Sequence, residues 1–148
     1  MNEYVKRVVK NLKRKYKTSC PYELSELLDI TLIIEPLGKP LGMYKFLNKN
    51  KVIWLNSSMD ENERRYVLAH EIGHAMLHTK SSCFFSNVKS INISKKEYEA
   101  NIFAAELLLD LSKNDISYID GYSIYQLASC YKVPIELVKL KYKLISES

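Results

Sequence analysis

RRYVLAHEIGHAMLH, residues 64–78, holds all three histidines of the chain, with a glutamate directly after the first. Asp60 followed by Glu63 makes a capping signature before it, and no proline interrupts the run, so the stretch is expected to be one helix. Residues four apart on a helix are separated by about 6 Å along the axis and about 40° in azimuth. His70 and His74 therefore share a face, and two imidazoles so placed can both turn Nε2 to one ion. Glu71 lies about 100° round from His70, beside the ion but not on it. A carboxylate there can take a proton from a metal-activated water, the general-base role in the H-E-x-x-H pattern. His78 cannot join the other two, because ligands at i, i+4 and i+8 spread over about 12 Å of helix. It is expected in the last turn, where an imidazole suits the helix dipole. Gly73 lies mid-helix, where glycine costs about 1 kcal/mol relative to alanine. Such a residue lets another backbone or a substrate approach closely.

Working outward, the segment before the helix has a different period. TLIIEPL (31–37), GMYKFL (42–47) and KVIWLN (51–56) are short, rich in β-branched and aromatic residues, and separated by Gly-Lys-Pro and Asn-Lys-Asn. They are expected to form a three-stranded antiparallel sheet. Ahead of it, residues 2–17 and 21–29 read as helices, the second entered through Pro21 with Thr18 or Ser19 as its cap. Residues 79–93 read as a loop. Ser94 and Glu97 repeat the capping signature and open KKEYEANIFAAELLL, which is apolar nearly all round and so buried. After a polar stretch, SIYQLASCYKVPIELVKLKYKLI gives two short helices around Lys132-Val133-Pro134, with the apolar spacing of a helix-turn-helix. The expected fold class is α+β, a small sheet on a mainly helical zincin-like domain over 1–111, with a helical segment over 112–148 packed on it.

A catalytic zinc takes three protein ligands and leaves a fourth position to water. Cys20, Cys83 and Cys130 are scattered and form no C-x-x-C pair, so the third ligand must be an oxygen donor. Glu97, Glu99 and Glu106 of the next helix are the candidates. Glu97 is expected to be engaged in capping, and Glu106, set in FAAELLL, to be buried beside a partner such as a ligand histidine.

RRYVLAHEIGHAMLH followed by EYEANIFAAELLL resembles the paired motifs of the ImmA/IrrE family of zinc metallopeptidases, over about residues 30–110. The resemblance implies a gluzincin-like centre in which His70 and His74 bind Zn2+, Glu71 is the catalytic base and Glu99 is the third ligand. It also implies a helix-turn-helix transcriptional repressor as protein substrate, with the chain an anti-repressor of a mobile element or stress regulon. One departure is visible: the family often closes its second motif with Met-Pro, where this chain has Leu109-Asp110. Tyr44, Tyr66 and Tyr98 are candidate oxyanion donors, and the KVIWLN strand is a candidate sheet edge for holding substrate.

The competing reading is a DNA-binding or metal-sensing regulator with a metal site that does no proteolysis. Residues 112–148 contain no arginine, the commonest base-reading side chain, so direct nucleic-acid binding is not expected. The net charge of +5 is concentrated in the first seventeen residues, where Val5, Val8, Val9 and Leu12 repeat at helical spacing among the lysines. That segment reads as an amphipathic helix docked by its valine face. No apolar stretch approaches the roughly 20 residues of a membrane span, no leader is recognisable, and the cysteine usage suits a reducing compartment. A cytoplasmic protein is expected.

Overall fold

A computed structural model describes residues 2–85, 93–111 and 123–147. Within them α1 (Asn2–Tyr16) and α2 (Pro21–Leu27) lead into β1 (Thr31–Glu35), β2 (Gly42–Leu47) and β3 (Asn50–Asn56). Then come α3 (Glu61–Leu77), β4 (Cys83–Phe85), α4 (Lys95–Leu108), α5 (Ile124–Tyr131) and α6 (Ile135–Ser146). The class is α+β, as expected. None of the described helices is long and apolar enough to cross a membrane.

The sheet differs from the expected three-stranded meander. It has four strands in the order β1-β3-β2-β4, and β1 pairs with β3 in parallel, Ile33 opposite Trp54. Only β2–β3 is a hairpin, closed through Asn48 and Lys49 at φ 49° and 65°, the left-handed pair that matches strand twist. The chain thus leaves β1, forms β2 one place further out, and returns through the hairpin as β3 into the position between them. The unbroken apolar run of KVIWLN suits this central place, covered on both faces, better than an edge. Val52, Ile53 and Leu55 are all buried. β3 is therefore interior, not the substrate-holding edge. The edges are β1 and the three-residue β4, which lies in the stretch read as loop and pairs antiparallel with β2, Tyr44 opposite Cys83.

α3 crosses one face of this sheet. Asp60 caps it by accepting from the Glu63 N–H at 2.8 Å, and every residue from Tyr66 to Ala75 is buried. Gly42 is where the sheet comes closest: a Cβ there would stand 2.7 Å from Cγ1 of Val67 and 3.3 Å from Cγ of Glu71. α4 packs along the other side of α3 through Gly73, where a Cβ would meet Cβ of Phe103 at 3.0 Å and Cα of Ala100 at 3.2 Å. Two helix backbones approach this closely only because Gly73 has no side chain.

α1 docks on α4 by Val5, Val9 and Leu12, and two of its lysines reach carbonyls at helix ends. Lys13 Nζ donates to Glu106 O at 2.7 Å and Lys6 Nζ to Leu144 O at 3.1 Å. α6 packs on α4 with Leu137, Val138 and Leu144 buried. Ser123 and Gln126 form the capping box of α5, and Lys132 in the left-handed region (φ 58°) turns the chain toward α6. The partner of Glu106 is Lys141 of α6, with Nζ 2.5 Å from Oε2, and not a ligand histidine as expected. The expected boundary at 111/112 and the polar stretch after it fall at and within residues 112–122, outside the described residues.

Candidate metal centre

The buried middle of α3 places His70, Glu71 and His74 at the heart of the molecule, with 0%, 0% and 1% exposure. Opposite them α4 presents Glu97. Its Oε2 lies 2.9 Å from Nε2 of His70 and its Oε1 lies 2.8 Å from Nε2 of His74. The expected third ligand, Glu99, is elsewhere: its Oε1 lies 3.1 Å from Nε2 of His78. The reason is helical geometry. Two residues on a helix are about 200° apart, so Glu97 and Glu99 cannot point at one centre, whereas Glu97 and Asn101, four apart, share a face. Capping does not occupy Glu97 either, because Ser94 Oγ accepts from the Glu97 backbone N–H and leaves the carboxylate free.

Asn101 decides the state of His70. Its Oδ1 lies 2.8 Å from Nδ1 of His70 and also accepts from the Tyr66 hydroxyl at 3.3 Å. An amide oxygen only accepts, so Nδ1 carries the hydrogen. Burial lowers the pKa of the His70 imidazole from its ordinary 6.5, opposed by the facing Glu97 carboxylate and by Asn101, and so favours the neutral ring. Its Nε2 is then a bare lone pair facing a carboxylate oxygen. Nε2 of His74 is in the same position: it is buried 2.8 Å from Glu97 Oε1 and has no hydrogen-bond partner among the described residues. Three electron-pair donors converge with no proton to share among them. A divalent cation satisfies all three, and two imidazole nitrogens with a carboxylate are a donor set that suits zinc.

Glu71 lies beside this triad. Its polar partner is Cys83 of β4, whose thiol lies 3.3 Å from Oε2 and 3.7 Å from Oε1. Burial raises the Glu71 carboxyl well above its ordinary 4.5; the thiol opposes this and the charge of Glu97 adds to it. The centre thus contains one carboxylate set against both imidazoles and one with raised proton affinity beside them, an arrangement suited to a ligand and a base.

The ring of Phe85 on β4 covers His70, with centroids 4.3 Å apart, and Tyr66 meets Phe85 edge-on at 5.8 Å. A cavity of about 730 Å³ opens on the outer side of these two rings, bounded further by Leu41, Val67, Tyr125 and Val133. The tyrosines named as oxyanion donors are engaged or distant in role. Tyr44 donates to Thr79 O, Tyr66 to Asn101, and the ring of Tyr98 carries the Lys143 ammonium 5.7 Å from its centroid. Asn101, Cys83 and Phe85 were not found from sequence. Asn101 was legible in principle from its spacing to Glu97, but Cys83 and Phe85 come to the centre only through the pairing of β4 with β2.

Residues 25–143 match the family model of the IrrE N-terminal-like domain, a peptidase domain. This chain belongs to the ImmA/IrrE family. The uncharacterized immunity region protein 2 of Bacillus phage phi105 is 38% identical to it over 150 residues, covering 93% of this chain and 88% of the relative. Metallopeptidase ImmA of Bacillus subtilis (strain 168) is 28% identical over 133 residues, covering 88% of this chain and 79% of the relative. The names of the family model and of the Bacillus subtilis relative are those of a peptidase and a metallopeptidase.

Proposed function

We propose that this ImmA/IrrE protein is a zinc-dependent endopeptidase that cuts a helix-turn-helix repressor, with His70, His74 and Glu97 as metal ligands and Glu71 as general base. The observation that carries this reading is the convergence of two bare imidazole nitrogens on Glu97 beside a second, wholly buried carboxylate. Glu99, named as a ligand by family resemblance, is not in this set because its carboxylate faces His78. Zinc bound there supplies Lewis acidity and lowers the pKa of an attacking water.

Glu71 takes the proton of that water and later returns it to the leaving amine nitrogen, which breaks the peptide bond. Its raised proton affinity suits both transfers. Cys83 orients the carboxylate through its S–H. Phe85 and Tyr66 exclude water on the His70 side. Among the described residues β4 is the sheet edge beside Glu71, so an extended substrate segment adds to it by backbone pairing, with the cavity beyond Phe85 taking flanking side chains. The substrate class rests on the family and on the immunity-region name of the phage relative.

The test uses the purified chain with repressors encoded beside its gene. Cleavage is expected with zinc, is lost on chelation and returns on adding zinc. Glu71→Gln is expected to retain one zinc per chain and lose at least a hundredfold in cleavage rate. A Glu71→Gln protein that still cuts at the wild-type rate overturns the mechanism.

A further inference from the structure

His78 and Glu99 take no part in the proposed reaction, yet both are largely shielded from solvent beside the centre. Their side chains are 8% and 13% exposed. His78 is the C-cap of α3, with its backbone N–H on His74 O at 2.8 Å, and this last turn folds its ring back over that of His74. Nδ1 of His78 lies 3.2 Å from Nδ1 of His74, and Nε2 of His78 lies 3.1 Å from Oε1 of Glu99.

We propose that Glu99 and His78 form a positioning chain for His74, Glu99–His78–His74, which fixes the tautomer of His74 and presents its Nε2 lone pair to the metal. This rests on the reading of His74 as a ligand. The chain of inference starts from the carboxylate, which only accepts, so Nε2 of His78 must carry the hydrogen. In the neutral ring Nδ1 of His78 is then a lone pair. The short contact between the two Nδ1 atoms requires one hydrogen between them, and it must come from His74. With its hydrogen on Nδ1, His74 has a bare Nε2, which is the atom facing Glu97. His70 reaches the same state through the neutral amide of Asn101. The two ligands are therefore unequal: His74 is backed by a full negative charge one ring away, in surroundings that screen it little, and is the stronger donor.

Two measurements test this. Nitrogen-15 spectra of the metal-free wild-type protein are expected to show His78 as the Nε2–H tautomer and His74 as the Nδ1–H tautomer; the reverse assignment overturns the proposal. Zinc affinity is then measured by competition with a chromophoric chelator. Glu99→Gln, which keeps an acceptor but loses the charge, is expected to bind about tenfold more weakly, and His78→Phe up to about a hundredfold. The double variant is expected to be no weaker than His78→Phe, because Glu99 acts through His78. Additive losses, or affinities within twofold of wild type, overturn the chain and leave the ligand set standing. A wild-type protein that binds no zinc overturns both. Metal-free melting temperatures close to wild type separate positioning from general destabilisation.

Discussion

Asn101 shows how much one neutral side chain contributes to a metal centre. Its Oδ1 takes hydrogens from His70 and Tyr66, both buried. Asn101→Ala strands two donors away from water, each costing about 1–3 kcal/mol. The variant is expected to melt well below wild type and to bind zinc about ten- to a hundredfold more weakly, because His70 is free to turn. Asn101→Asp keeps an acceptor at the same place and is expected to retain most of the zinc affinity. Melting curves and zinc titrations of the two variants check this; equal zinc binding by Asn101→Ala removes Asn101 from the account. Glu97 and Glu99 belong to the same scale. Both are legible as candidates in the sequence, and the structure sets only Glu97 against the two histidines. A backbone cap and a free carboxylate coexist in one residue, and only the 200° between positions two apart separates the two glutamates.

At the scale of elements, the centre depends on how closely α3 and α4 approach. Gly73 permits this, with Phe103 and Ala100 where its side chain would be. On an isolated helix Gly73→Ala gains about 1 kcal/mol. Here the added methyl presses on the backbone of α4 and on the root of an aromatic ring, which yield only by moving the helix. Overpacking of this kind costs about 1–3 kcal/mol, so the net effect is expected to be destabilising. Because the displaced helix carries Glu97, zinc affinity is expected to fall as well. Denaturant melts with and without zinc check both, and a Gly73→Ala protein more stable than wild type shows that α4 moves aside freely. The cost of a mid-helix glycine was legible in the sequence; what it faced was not.

Across the whole molecule, the C-terminal helix is joined to the peptidase helices by Lys141 and Glu106. This pair is buried between α6 and α4, with Lys13 of α1 on the Glu106 carbonyl. Breaking it one-sidedly leaves a nearly unpaired carboxylate, so Lys141→Met is expected to cost roughly 3 kcal/mol, and Lys141→Met with Glu106→Leu to recover most of it. Trp54 on the distant β3 provides the check that the molecule melts as one. Its fluorescence transition is expected to shift together with that of the helices seen by circular dichroism. A Trp54 transition that stays in place while the helical one falls would make the C-terminal helices a separate unit.

The sequence by itself determined where the helices run, the side-chain caps at Asp60 and Ser94, and that His70 and His74 share a face with Glu71 beside it, because these follow from spacing along a single helix; α2, by contrast, is entered through Cys20 with no side-chain cap, not through Thr18 or Ser19. Only the tertiary structure decided that β1 runs parallel to β3, that β4 forms the edge beside Glu71, that Glu97 meets the two histidines, and that Glu99 stands behind His78. Each of these is a contact between elements distant in the chain, and neither propensity nor local periodicity carries the packing that selects one partner over another.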